Sequence, residues 1–232
     1  MLKKTNHYAK ALKTDFEDEF IEKNLVYHIC KGYLEEWDEL SDENSLISKL
    51  IETKNTTHLS EIINYFWMQR ESLSDKKKAR IKPLWSSLFK VVFQHKDSPE
   101  YQKILSKLSF WLSLVDEIDD EVFEWSKASA RFIQMNFDAP FLIEYLLKHV
   151  VVEQEKVAKI YLEMLDSGIY PDYDQSHIEK IVRILSEKGQ REHADRISNM
   201  YGERGLDFLR VLYENQKETS NHEKSEGREK TE

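Results

Sequence analysis

Apolar residues recur through most of this chain at the spacing of one helix face, and that recurrence constrains the fold more than any single residue does. Leu46, Ile47, Leu50 and Ile51 form an i, i+1, i+4, i+5 stripe, and Leu59, Ile62, Ile63, Phe66 and Trp67 form the next. Leu84, Leu88, Val91 and Val92 continue the pattern, followed by Ile104, Leu105, Leu108, Trp111, Leu112 and Val115. Each stripe gives a helix one face that has to be buried against a neighbour. With 6 glycines and 4 prolines in 232 residues, the chain has little material for many tight turns, and its 33% charged residues suit exposed helical faces. The expected class is all-α.

The pattern places helices near 15–31, 43–53, 57–69, 75–95, 99–115, 120–135, 139–150, 153–167, 175–188, 191–201 and 203–215. Ser98-Pro99-Glu100 supplies an N-cap oxygen, a proline at N1 where no donor is lost, and an acid at the positive end of the helix dipole. Asp138-Ala139-Pro140 and Asp174-Gln175-Ser176 read in the same way, and Gly168, Gly189 and Gly202 suit the left-handed position after a helix. Pro83 is expected to kink the fourth helix or to split off its first turns. Short loops make sequence neighbours antiparallel spatial neighbours, and pairs starting near 43, 75, 120, 153 and 191 recur at the spacing of helical-hairpin repeats. The expected architecture is a right-handed stack of antiparallel helical hairpins, an irregular α-solenoid of about ten to eleven helices. Residues 15–215 read as one helical-repeat domain, 1–14 as a weakly ordered lead-in, and 216–232, which lack any aliphatic or aromatic residue, as a disordered tail.

Charge divides the chain unevenly. Between Asp15 and Glu61 thirteen acids face four bases, a net −9 equal to that of the whole protein. Such a block repels nucleic acid and anionic membranes and attracts a basic protein surface, and it also solubilises the face that carries it. Cys30 is the only cysteine, so no intrachain disulfide and no multi-cysteine metal cage can form. It follows the apolar run Leu25-Val26-Tyr27-His28-Ile29 and reads as a buried structural thiol in a reducing compartment. No secretory apolar core follows Lys3-Lys4, and no apolar run approaches the ~20 residues needed to span a bilayer. The protein is expected to be soluble and cytoplasmic.

The motifs of several chemistries are absent. The chain has no Gly-x-x-x-x-Gly-Lys, no Gly-x-Gly-x-x-Gly, no His-Glu-x-x-His and no Gly-x-Ser-x-Gly, and no histidine has a glutamate three residues before it. Asp116, Glu117, Asp119, Asp120, Glu121 and Glu124 form the densest carboxylate cluster, whose spacing does not match a calcium loop and whose position suits the first turn of a helix. Lys76, Lys77, Lys78, Arg80 and Lys82, with Trp85 nearby, form the densest basic run, suited to a solvated face, to phosphate or to the acidic block of another copy. Trp67, Trp85, Trp111 and Trp125 lie on apolar stripes and are expected in the core, whereas Trp37, between Glu36 and Asp38, is expected to be exposed. No catalytic, cofactor or metal residue is assigned, and the expectation is a non-enzyme.

Between residues 158 and 205 the pattern comes round again after about 36 residues, the period of a helical hairpin. Ala158-Lys159-Ile160-Tyr161-Leu162-Glu163-Met164 with Gly168-Ile169-Tyr170-Pro171-Asp172 resembles the second helix and turn of a pentatricopeptide repeat. Lys188-Gly189-Gln190-Arg191-Glu192-His193-Ala194 resembles the following turn and helix start, and the small residues also recur in tetratricopeptide and HEAT-like hairpins. The pentatricopeptide resemblance implies single-stranded RNA read one base per repeat along a concave face. The whole chain is also similar to the irregular helical-repeat segments at the C-terminal ends of large multidomain bacterial proteins, including antiviral defence proteins. In those the array binds while an upstream domain does the chemistry. The leading functional expectation is a protein-interaction or scaffold module with a protein partner of basic character. RNA binding is the first alternative, and an enzyme with a site dispersed between helices is the second.

Overall fold

The computed structural model describes residues 19–36, 45–108, 112, 117–134 and 138–210. Among the described residues there are ten α-helices and no strand. The chain divides into two compact units, Met1–Glu117 and Ile118–Glu232, within the span expected as one domain. The lead-in 1–14, the tail 216–232, Trp37 and Trp111 lie outside the described residues.

The first unit holds α1 (Glu19–Leu34), α2 (Leu46–Glu52), α3 (Thr56–Gln69), a 3-10 turn (Arg70–Ser72), α4 (Asp75–Gln94) and α5 (Pro99–Leu108). Side-chain oxygens start two of these helices. Ser45 accepts the N–H of Ser48, and Asn55 accepts those of Thr57 and His58, each satisfying donors that the first turn leaves unpaired. Packing joins helices two apart in the chain, α1 to α3, α3 to α5 and α2 to α4, as well as neighbours α1 to α2, α2 to α3 and α4 to α5. Contacts advance together along α1 and α3, from Glu22 beside His58, through the Tyr27–Tyr65 edge contact at 5.0 Å, to Tyr33 against Phe66 at 6.3 Å, so the two helices run in the same sense.

Their shared core is Val26, Ile29, Cys30, Leu59, Ile62, Ile63 and Phe66, all buried. Each large aliphatic or aromatic side chain removed from water there contributes about 1.5–3 kcal/mol before entropy is counted. Trp85 is buried too and donates its indole N–H to the Leu108 carbonyl at 3.0 Å, which removes the cost of an unpaired polar atom. Trp67 is only half-buried and lies under the Arg70 guanidinium, 3.7 Å from the ring centre. Helix α4 runs without interruption through Pro83, so the first turns do not form a separate piece.

The second unit holds α6 (Asp120–Ala130), α7 (Ala139–His149), α8 (Gln154–Asp166), α9 (Gln175–Glu187), α10 (Arg191–Glu203) and a 3-10 turn (Asp207–Leu209). Here α6 packs on α8, α8 on α10 and α7 on α9, and α9 packs closely on α10. Lys156 beside Asp120 and Arg131 beside Glu163 fix α6 and α8 in the same sense. Between α8 and α10, Tyr161 donates to the Tyr201 hydroxyl at 2.9 Å and Tyr201 donates to the Pro171 carbonyl, so both buried phenols are satisfied. Burial raises the pKa of each.

Three helices of this unit end alike. Past α8, α9 and α10, a glycine takes the left-handed conformation, with φ of +85° at Gly168, +87° at Gly189 and +74° at Gly205. The next N–H then reaches back five residues, Ile169 to Met164, Gln190 to Leu185 and Leu206 to Tyr201, at 2.8–3.2 Å. Gly202 corrects the sequence reading: it lies inside α10, and Gly205 makes the stop. The helix expected at 203–215 is, over its described part, that turn and the short 3-10 turn. Asp138 is a further correction. Its carboxylate accepts the N–H of Gln134 at 2.8 Å, closing the turn before α7, and makes no side-chain cap on α7 itself.

These assignments give two glycine substitutions opposite signs. An added Cβ meets nothing within 4 Å at either Gly189 or Gly202, so backbone conformation decides. Gly189→Ala is expected to destabilise by about 1–2 kcal/mol because of its left-handed φ. Gly202→Ala is expected to stabilise by up to about 1 kcal/mol in the last turn of a helix. Urea denaturation of the two variants beside the parent measures both, and a loss of stability in Gly202→Ala contradicts the helix boundary.

Candidate interaction surfaces

On α1, the core-facing residues Val26, Ile29, Cys30 and Tyr33 define the inward stripe. Extrapolated one turn towards the N-terminus, that stripe arrives at Glu22, an acid in the place of an apolar residue. Phe20 and Ile21 are 73% and 52% exposed, and Tyr27, whose ring edge meets Tyr65, is 42% exposed. The first turns of α1 therefore turn a carboxylate inward and two large apolar side chains outward. Met68, three residues beyond Tyr65 on α3, is 63% exposed.

The acidic block and the basic run meet within the first unit. Glu36 takes a left-handed φ of +58° just past α1, and its carboxylate receives Lys76 Nζ at 2.7 Å and Arg80 Nη1 at 3.4 Å. The hydrogen bond from Lys76, then its charge, lowers the pKa of Glu36. The Arg80 guanidinium also lies over the Tyr33 ring at 4.5 Å, and the Tyr33 hydroxyl donates to the Arg80 carbonyl at 2.9 Å. Lys78 stands 3.8 Å from Asp75. Three of the basic run's cations are thus engaged by acids of the same chain, and the ion pairs at Glu36 are surface pairs that position the turn after α1 more than they stabilise it.

The carboxylates near residue 120 have local roles. Asp119 accepts the Val122 N–H at 2.9 Å as the N-cap of α6, and Asp120 receives Lys156 at 3.0 Å. Lys156 donates also to the Ile118 carbonyl. Asp116 lies outside the described residues. Among the described residues, no three His, Cys, Asp or Glu side chains converge to hold a metal ion, and no helix is long and apolar enough to cross a membrane.

In the pentatricopeptide-like segment, Ala158 and Ala194 are buried near the starts of α8 and α10, where a small residue permits close helix approach. Two of its exposed cations are partnered, Lys159 with Glu155 and Arg196 with both Asp166 oxygens, the latter at 2.8 and 2.9 Å. Elsewhere in the unit, Val151 and Val152 at the α7–α8 turn and Tyr173 before α9 are exposed apolar side chains.

Cys30 is fully buried on the inward stripe of α1, and burial raises its thiol well above the ordinary range. Burial thus disfavours the thiolate, the nucleophilic form of the side chain. Native protein is therefore expected to be inert to a disulfide thiol reagent at pH 8 over minutes and to release one equivalent once unfolded in guanidinium. Rapid native labelling contradicts the packing of α1 on α3.

Comparison with protein-family models, with curated proteins and with solved structures returns no match for this chain, its pentatricopeptide-like segment included.

Proposed function

We propose that the chain is an irregular stack of helical hairpins that works as a protein-interaction module, with the outward face of α1 as its anchor and a partner of basic character. The observation that carries this reading is the inverted first turn of α1, where Phe20 and Ile21 face water while Glu22 faces inward. Exposed aromatic and aliphatic side chains in a charged surround are the usual composition of a binding hot spot and its rim. The sequence around them, Asp15-Phe16-Glu17-Asp18-Glu19-Phe20-Ile21-Glu22, holds five acids and no base, which favours encounter with a cationic surface.

Support for hairpin stacking comes from packing between helices two apart in both units, and from the common sense of α1 with α3 and of α6 with α8. Helices that alternate in direction and pack on their second neighbours build such a stack. The RNA reading is supported by the recurrence of Ala158 as Ala194 and of Gly168 as Gly205, and it is opposed by the ion pairs that occupy Lys159 and Arg196.

Affinity capture from the native host with the wild-type chain and with a Phe20→Ser, Ile21→Ser double variant, followed by mass spectrometry, tests the proposal. A basic protein retained by the wild type and lost at least tenfold by the variant is expected. Equal recovery by both, or no specific protein, contradicts it, and salt-sensitive binding to single-stranded RNA at low ionic strength favours the alternative.

A further inference from the structure

The seam between α1 and α3 carries a row of exposed side chains on its water-facing side. Helical spacing puts Phe20 and Tyr27 on one stripe of α1, and Glu61, Tyr65 and Met68 on one stripe of α3. The Tyr27 ring edge meets Tyr65 at 5.0 Å, so the two stripes flank the same seam. Phe20 lies two helical turns, about 10 Å, before Tyr27, and Met68 lies about 4.5 Å beyond the level of Tyr65. The two helices run in the same sense, so Phe20, Tyr27 and Met68, all exposed, follow one another along about 15 Å of the seam.

Carboxylates accompany the row. Glu19 receives Lys23 at 2.8 Å, and Glu35 stands 3.9 Å from Lys31, both along α1. Glu61, on the α3 stripe, also acts on Lys23, whose pKa is raised first by its hydrogen bond to Glu19 and more weakly by the Glu61 charge. Three acids thus stand with two bases, and each base is already matched by an acid of its own helix. Asp15, Glu17 and Asp18 precede them in the sequence with no base among them, so the excess charge is negative.

We infer that the α1–α3 seam receives an α-helix of a partner protein, one whose apolar stripe covers Phe20, Tyr27 and Met68 and whose flanks carry lysine or arginine. The inference rests on the binding reading above and names the shape and charge of the partner. Among the described residues no strand offers an edge for a partner's backbone to pair with, so side chains carry the affinity. An α-helix satisfies its own backbone and repeats its apolar side chains at i, i+4 and i+7, with the rise that also spaces Phe20 from Tyr27. The negative excess favours cationic flanks and disfavours nucleic acid and anionic lipid.

The residues of the row differ in what they contribute. Tyr27 is held edge-on by Tyr65 and by His28, whose ring centre is 5.6 Å away, and so is ordered before a partner arrives. Met68 is unbranched and polarizable, and it adapts to the surface that covers it. Ile21 lies about 100° around α1 from Phe20 and outside the seam, although it is equally close in sequence.

The test titrates the full chain with a synthetic lysine–leucine peptide, leucines at i, i+4, i+7 and i+11, followed by NMR of the Met68 methyl and the Tyr27 amide with α9 amides as the reference. Saturable shifts at both are expected, with binding about tenfold weaker for Met68→Gln and for the same peptide in scrambled order, and unchanged for Ile21→Ser. Shifts centred elsewhere, equal binding by Met68→Gln or by the scrambled peptide, or a Met68 shift that grows with protein concentration alone, the sign of a second copy, overturns the inference. Should Met68→Gln fail to fold, the two peptides decide. Failure of the seam while the Phe20→Ser, Ile21→Ser variant still loses a host partner overturns this inference alone. A peptide seated on the seam with no host protein captured overturns the binding reading alone.

Discussion

The structure depends on one constraint: the described helices draw their stability from burying an apolar face against a neighbour, and most of them are too short to form alone. Even α4, the longest described helix at 20 residues, buries one apolar face, and α2 has only 7 residues. Nucleating so short a segment costs more than its few backbone bonds return, so each helix forms when its stripe meets the stripes beside it. Leu46, Ile47, Leu50 and Ile51 are all buried in α2, which leaves that short helix an internal strut with no apolar residue in water. The turns inherit their importance from this. Three left-handed glycines and their backward hydrogen bonds end α8, α9 and α10 at equivalent points, which sets the angle at which the following helix returns to cover its predecessor.

Much of this was legible in the residues. The apolar period located every described helix and most of their ends, because short loops leave little freedom in where a buried stripe begins and ends; the spans 99–115 and 120–135 ran past Leu108 and Ala130, where α5 and α6 stop. Gly168 and Gly189 were readable as stops because a glycine after the last periodic residue has a mechanism. Gly202 misled for a physical reason: two glycines, Gly202 and Gly205, compete for one stop, and burial of Tyr201 within the last turn carries α10 past the first of them. Asp138 misled because its buried carboxylate had a nearer donor, the Gln134 N–H, than those of the helix it precedes. A preceding acid marks a helix start without fixing which amide it serves.

Charge was legible as composition and opaque as geometry. The acidic block and the basic run could be counted, but their meeting at Glu36, Lys76 and Arg80 depends on the first turns of α4 lying beside the end of α1. The Tyr33 ring supplies the local reason for that meeting, because it carries the Arg80 guanidinium on its face and holds the Arg80 carbonyl with its hydroxyl. A run of cations at the start of a helix opposes the helix dipole, and the Glu36 carboxylate, brought in from the turn after α1, reduces that opposition at its first turn.

The first turns of α1 break the amphipathic rule, and they break it in both directions at once. Placing Glu22 on the inward stripe requires a buried partner, and His58 supplies one only because Asn55 caps α3 and Thr53 ends α2 at the same point. Placing Phe20 and Ile21 outward, 73% and 52% exposed, forgoes part of the apolar burial that contributes about 1.5–3 kcal/mol for a fully buried side chain of this size. A turn serving stability alone would hold the apolar residues inside and the acid outside, and exchanging their positions needs no change in backbone. Departures from local consistency of this kind are where folded chains carry function. Here the departure couples two properties in one helix: the apolar side chains that face outward and the polar junction that holds the helix down occupy adjacent positions, so whatever changes the junction changes how those side chains are presented.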